Sequence, residues 1–150
     1  MKIREAVPGD VPGIARLERE NFSLPWTEQI IASQLGGPGK LMLAAEEDGT
    51  LAGYMGLQYV LDEGYISNVC TAPEYRRRGV AAALIEEMVR RSQALGLAFL
   101  SLEVRVSNEP AIRLYEGRGF VRAGVRPGYY EQPSEDALIM NLNIRKETQC

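Results

Sequence analysis

Arg76-Arg77-Arg78-Gly79-Val80-Ala81-Ala82 joins a basic, glycine-containing knuckle directly to residues with helical spacing. That order gathers backbone N–H groups and fixed positive charge at the N-terminus of a helix, where an anion is held best. Gly79 lets the main chain approach a bulky group, and the small side chains of Ala81 and Ala82 leave the first turn uncrowded. Phosphate is the anion that such a knuckle suits. It is not a Walker loop, because no Gly-Lys-Ser/Thr follows, and it lacks the three-glycine dinucleotide fingerprint. Taken alone, it reads equally well as a solvated basic turn ahead of a helix.

Two further segments carry groups that move protons. Glu103 stands near the end of the apolar run 97–104. Period-two alternation sets it with Ser101 and Phe99, on a side that is either solvent-facing or partly desolvated. Partial desolvation is what makes a carboxylate a useful base near neutral pH. Tyr115 lies in the segment 108–120, on the same helical face as Ala111 and Ile112. By itself it is either a core tyrosine or a proton donor. Ser107 or Asn108 caps that helix, and Pro110 is tolerated in its first turn, where N–H groups lack internal partners.

The elements that must hold these groups follow from local pattern. Residues 2–6 alternate as a short strand, and Asp10 is the expected N-cap of a helix through Ile14, Leu17 and Glu18, with Pro12 in its first turn. Residues 22–26 form an irregular apolar loop, and a second short helix from Thr27 to Leu35 stops at Gly36-Gly37-Pro38-Gly39. Strands at 41–46 and 51–60 flank Asp48-Gly49, a hairpin signal, and another strand runs over 64–71. Ala81, Leu84, Ile85, Met88 and Leu95 space a helix over 79–95, with Glu86 to Arg90 and Glu87 to Arg91 as expected ion pairs. A strand at 97–106, a helix at 108–116 and strands at 119–125 and 137–143 complete the order. It predicts one α/β (α+β) domain over 1–144, a mixed sheet with helices on both faces, and a polar tail over 145–150.

Composition narrows the chemistry. A chain of 150 residues, 45% hydrophobic and 25% charged, is of ordinary globular type and of a length for one domain. A net charge of −3 argues against a general nucleic-acid binder. Histidine is absent, which removes Ser–His and Cys–His catalysis and argues against a catalytic metal. Cys70 and Cys150 make no disulfide framework, and the N-terminal residues carry no apolar leader. With no apolar stretch of spanning length, the expected location is the cytoplasm, with no membrane partner.

Taken together, the motifs resemble the GCN5-related N-acetyltransferase (GNAT) superfamily, and within it the ribosomal-protein-alanine N-acetyltransferases. The resemblance runs over residues 1–144 and includes Phe22-Ser23-Leu24-Pro25-Trp26, the Arg76-to-Ala81 loop, Leu102-Glu103-Val104-Arg105-Val106-Ser107-Asn108, Leu114-Tyr115-Glu116-Gly117-Arg118-Gly119-Phe120, Tyr129-Tyr130 and Asp136-Ala137-Leu138-Ile139-Met140. It implies acetyl-CoA as cosubstrate and no metal. Val69, Cys70 and Thr71 would offer main-chain groups to the pantetheine arm, in a slot where this strand splays from the Glu103 strand. Arg76, Arg77, Arg78, Gly79, Val80, Ala81 and Ala82 would hold the pyrophosphate, largely through N–H groups. Asn108 would contact the cosubstrate near the thioester, Glu103 would be general base, and Tyr115 would protonate the departing thiolate.

The implied acceptor is the α-amine of a protein N-terminus, the N-terminal alanine of ribosomal protein S18, and the chain itself is expected to be a monomer or weak dimer. Leu24 and Trp26 would wall one side of an acceptor groove and Tyr129 and Tyr130 the other; the same aromatics read equally well as packing against the domain itself. Glu131, Glu135 and Asp136 either attract a basic segment or form a solvated loop. The alternatives are a lysine or small-molecule acceptor, and a non-catalytic acetyl-CoA-binding module.

Overall fold

Strands β1 (Lys2–Glu5), β2 (Lys40–Glu47), β3 (Thr50–Val60), β4 (Glu63–Thr71), β5 (Phe99–Arg105), β6 (Val121–Tyr130) and β7 (Glu135–Asn143) form one sheet in the order β1-β2-β3-β4-β5-β7-β6. A computed structural model describes residues 1–145. Residues 146–150, with Cys150 and most of the expected tail, lie outside the described residues. Neighbouring strands are antiparallel except β4 and β5. A parallel pair needs a crossover, which the helix Val80–Ala94 supplies.

Among the described residues, four α-helices bury the two faces. Helices α1 (Val11–Asn21) and α2 (Glu28–Ser33) place Val11, Ile14, Leu17 and Ile31 against Met42, Ala44, Tyr54 and Cys70. Helices α3 (Val80–Ala94) and α4 (Glu109–Gly117) place Leu84, Ile85, Met88, Ile112 and Tyr115 against Met55, Leu57, Leu100, Leu102 and Met140 on the opposite face. Each such side chain contributes about 1.5–3 kcal/mol when fully buried. That tertiary term is what sustains α2 and α4, with 6 and 9 residues, since isolated helices this short are marginal.

The centre of the sheet is deliberately imperfect. Met55 pairs with Val69 and Leu57 with Ile66, so Gly56 alone faces both Ser67 and Asn68. This bulge bends β4. A Cβ on Gly56 would lie 2.6 Å from Ser67 Oγ, so the close approach suits glycine. On its other edge β4 pairs with β5 only at Glu63–Phe99, Gly64–Leu100 and Tyr65–Ser101. Past that point the two strands part, as the family resemblance implied.

Elsewhere the structure corrects the expectations in detail. β6 and β7 extend to Tyr130 and back to Glu135, so Tyr129 and Tyr130 end a strand. Asp10 occupies the N-cap position of α1, but its carboxylate turns away from that helix. It accepts from Val7 N at 2.8 Å and from Arg4 Nη1 and Nη2 at 2.8 and 2.9 Å, serving the preceding 3-10 turn Pro8–Asp10. Glu87 takes both neighbours, Arg90 at 2.6 Å and Arg91 at 2.8 Å, while Glu86 bonds Arg118 at 2.8 Å instead of Arg90. Arg145, expected at the head of the tail, is anchored: its backbone N–H donates to Ala98 O at 3.1 Å and its side chain to Gly96 O at 2.7 Å.

Candidate functional site

β4 leads through the 3-10 turn Pro73–Tyr75 into the basic knuckle. Arg77 and Gly79 both adopt positive φ, 65° and 79°. Alternation of left- and right-handed residues curls successive N–H groups toward one concavity. α3 then starts from Gly79 with no side-chain cap, and its first helical bond is Ala83 N–H to Gly79 O at 3.0 Å. The N–H groups of Val80, Ala81 and Ala82 therefore precede the helical ladder, free for an anion. Apart from its immediate chain neighbours, nothing lies within 4 Å of where a Gly79 Cβ would stand, so the space beside this residue is open.

The arginine side chains do less than their number promises. Arg76 Nη2 donates to Asn21 Oδ1 at 2.7 Å, tying the knuckle to the end of α1. Arg78 lies over the Tyr75 ring, 5.5 Å from its centroid. The main chain, the exposed Arg77 side chain and the local positive charge remain for a diphosphate, and the donor set fits such a group.

From the knuckle, the unpaired edge of β4 runs back along Val69, Cys70 and Thr71 to the fork after Tyr65–Ser101. Burial, with Glu18 nearby, pushes the Cys70 thiol up to about 11. It stays a neutral thiol, and only the backbone of Cys70 can serve a ligand here.

Glu103 is the second residue beyond the fork on β5. Burial alternates along β5, with Leu100, Leu102 and Val104 in the core against α3 and α4. Glu103 therefore points to the other face. Tyr115, on α4, belongs to the Leu102 and Val104 side. The base and acid candidates thus sit on opposite faces of the sheet, and β4 and β5 have parted by the position of Glu103.

The local surroundings of each differ. The Glu103 side chain is 26% exposed and accepts from Arg126 Nε at 2.8 Å, so its oxygens already face a cation. Tyr115 is buried beside Phe120, with ring centroids 5.6 Å apart. Burial first, and the neighbouring Tyr130 second, push its phenol up to about 12. At neutral pH it is a proton-bearing donor. Asn108 Oδ1 accepts from Ala111 N at 3.3 Å as the cap of α4, which commits its carbonyl oxygen and directs only its amide nitrogen elsewhere.

The expected acceptor residues converge from two ends of the chain. Leu24 is 61% exposed, whereas Trp26 is half-buried against the α1–α2 core. Ser23 Oγ lies 3.4 Å from Glu131 O, bringing this loop to the β6–β7 turn. There Tyr129 and Tyr130 meet edge to face at 5.0 Å, with Arg105 4.4 Å from the Tyr130 centroid and Arg126 5.9 Å from that of Tyr129. Burial, then the charges of Tyr129 and Glu103, push Tyr130 up to about 12.

The acidic trio does not form a free negative patch. Glu135 bonds Arg105 at 3.2 Å and Ser107 N at 2.7 Å, and Asp136 accepts from Gly128 N at 2.8 Å. Both carboxylates brace the hairpin.

Sequence reasoning passed over Glu18, Asn68 and Arg126. Glu18 is 1% exposed and accepts from Trp26 N at 2.7 Å, Asn68 Nδ2 at 2.7 Å and the Tyr54 hydroxyl. Its signal was present: with Val11, Ile14 and Ala15 it completes the inward helical stripe of α1, an odd place for a carboxylate. Among the described residues no cluster of His, Cys, Asp and Glu offers a metal site, and no helix is long and apolar enough to cross a membrane.

Comparison with known proteins gives the family and the fold. The acetyltransferase (GNAT) family matches residues 11–120. A ribosomal protein bS18-alanine N-acetyltransferase of Escherichia coli (strain K12) is 38% identical over 137 residues, covering 90% of this chain and 92% of that protein. The crystal structure of the ribosomal-protein-S18-alanine N-acetyltransferase from Escherichia coli superposes with a TM-score of 0.88 at 36% identity, over 95% of this chain and 93% of that one. Arabidopsis thaliana NAA60 in complex with acetyl-CoA shares the fold, with a TM-score of 0.85 at 24% identity over 95% and 98% of the two chains.

Proposed function

Since this chain belongs to the acetyltransferase (GNAT) family and is an N-acetyltransferase, we propose that it moves the acetyl group of acetyl-CoA to the N-terminal α-amine of a protein, the alanine of ribosomal protein S18. The observation that carries this reading is the fork: β4 and β5 stop pairing after Tyr65–Ser101, between an uncapped helix N-terminus and two proton-carrying side chains. The open main chain from Arg77 to Ala82 suits the diphosphate, and the free edge at Val69, Cys70 and Thr71 suits an amide-bearing arm. Leu24, Trp26, Tyr129 and Tyr130 would flank the acceptor. Similarity to a protein named for the bS18 alanine supports the choice of acceptor.

The chemistry is within reach of these groups. Acetyl-CoA supplies an acyl thioester that reacts without a metal. An α-amine has a pKa of about 8, so roughly a tenth of it is already free base near pH 7. Glu103 receives the amine proton, directly or through one water, on the face where its carboxylate already attracts Arg126. A carbon–nitrogen bond forms as the carbon–sulfur bond breaks, and the Tyr115 hydroxyl meets the leaving sulfur from the opposite face. Alignment of amine and thioester in the gap supplies most of the acceleration.

Incubation with acetyl-CoA and a peptide beginning Ala-Arg tests the reading, with mass spectrometry to place the acetyl group. Acetylation of the α-amine is expected. Transfer to a lysine or a small amine, with the α-amine left untouched, refutes it.

A further inference from the structure

We propose that Glu18 is a positioning residue that couples the acetyl-CoA slot to the acceptor loop, an inference resting on the function proposed above. Its carboxylate is nearly sealed from solvent, and its hydrogen-bond partners include neither Glu103 nor Tyr115. Instead its two oxygens divide their work. Oε1 accepts from the backbone N–H of Trp26 at 2.7 Å, in the irregular loop 22–27. Oε2 accepts from Asn68 Nδ2 at 2.7 Å and from the Tyr54 hydroxyl.

Asn68 is one of the two residues that face Gly56 across the β4 bulge, the distortion that takes β4 away from β5. One buried side chain therefore grips both walls of the site. A carboxylate enclosed in protein and held by three neutral donors is sensitive to losing any of them, because little water is at hand to replace it. A ligand that settles against the free edge of β4 shifts Asn68, and the carboxylate carries that shift to Trp26. Conversely, an acceptor that fixes the loop stiffens the bulge, as reciprocity of coupled binding requires. Among the described residues Glu18 and Ser92 are the buried polar or charged side chains, and the reaction as drawn does not use Glu18.

Trp26 is the only tryptophan, so its emission reports on the loop without any turnover. Titration with acetyl-CoA is expected to change Trp26 emission in the wild-type protein, with a midpoint matching the calorimetric Kd. In Glu18→Gln one amide oxygen cannot accept from donors on both sides, so either Trp26 or the Asn68 and Tyr54 pair loses its acceptor and the link between them is cut. That variant is expected to bind acetyl-CoA within about threefold of wild type while the emission change disappears, and to raise the peptide KM about tenfold.

Asn68→Ala is half-exposed and leaves Glu18 with Trp26 and Tyr54, so it serves if Glu18→Gln fails to fold; the emission change is lost there too. A wild-type emission change that persists unaltered in either variant overturns the coupling, as does calorimetric binding that leaves wild-type Trp26 emission unmoved. A purely architectural Glu18 would lower the melting temperature and leave the acetyl-CoA-dependent emission change intact. Absence of calorimetric binding in the wild type removes the acetyl-CoA reading itself, and the coupling with it.

Discussion

Tyr115→Phe removes one hydroxyl and leaves the ring that packs on Phe120 at 5.6 Å and within the Ile112 cluster. Stability should therefore hardly move. The catalytic cost follows from the phenol's position on the acidity scale. Burial raises Tyr115 to about 12, whereas a free thiol titrates at about 8.5. Complete proton transfer from this phenol to a thiolate would thus be uphill by roughly three decades. The hydroxyl helps chiefly as a hydrogen-bond donor to charge growing on sulfur. A hydrogen bond to a charged group is worth about 1.5–3 kcal/mol, which is roughly a 10- to 150-fold fall in kcat. Acetyl-CoA affinity should stay within about threefold, because the neutral thioester sulfur in the ground state accepts weakly. Steady-state rates with an Ala-Arg peptide, alongside calorimetry with acetyl-CoA, separate the two quantities. Equal losses in kcat and affinity, or a fall in kcat below threefold, would refute Tyr115 as the group facing the leaving sulfur.

Glu103→Gln should lower turnover about 100-fold at pH 7, the modest end for a general base, because part of the amine is already unprotonated. Raising the pH to 9 lifts the free-amine fraction to about nine-tenths and should recover close to tenfold; a variant whose rate ignores pH removes Glu103 from proton transfer. Gly79→Ala forces a side chain into φ 79° and should cost about 1–2 kcal/mol in stability, while its Cβ enters the open space beside this residue. Its Kd for acetyl-CoA should rise at least tenfold, and an unchanged Kd would separate the knuckle from the diphosphate. Tyr54, Tyr115 and Tyr130 are all pushed up, chiefly by burial. Between pH 10 and 12 the unfolded chain then holds fewer protons than the fold. Their stabilisation is complete below pH 10 and drains away as pH climbs through 12. Tyrosinate absorbance should appear together with loss of circular dichroism; ionisation of all three at pH 10 in a folded protein would contradict this.

Glu87 shows how far pairwise rules carry on a surface. The i,i+4 spacing toward Arg91 is realised, yet Arg90 turns to Glu87 as well, leaving Glu86 to Arg118 on another element. All three are exposed pairs whose geometry is decided by small energies. Asp10 makes the same point at a helix start, where Arg4 from a neighbouring strand captures the expected cap.

Local chemistry was enough to announce most elements and three pieces of the site. Helical spacing from Val80 to Ala94, the glycine-bearing knuckle before it, and the strand alternation that pairs Glu103 with Ser101 depend on residues a few positions apart. Period and turn preference act at that range, so a one-dimensional string suffices. Nothing local says that β4 and β5 run parallel for three pairs and then separate, or that Glu103 and Tyr115 lie on opposite faces of the sheet. Those facts depend on which strands meet and where a bulge at Ser67 and Asn68 turns one of them aside. Glu18 is the clearest case. On its own helix it is a carboxylate in an apolar stripe. Only when β3, β4 and the loop before α2 supply Tyr54, Asn68 and Trp26 does burying its polar head become tolerable, and donors from three separate segments exist together only in the folded chain.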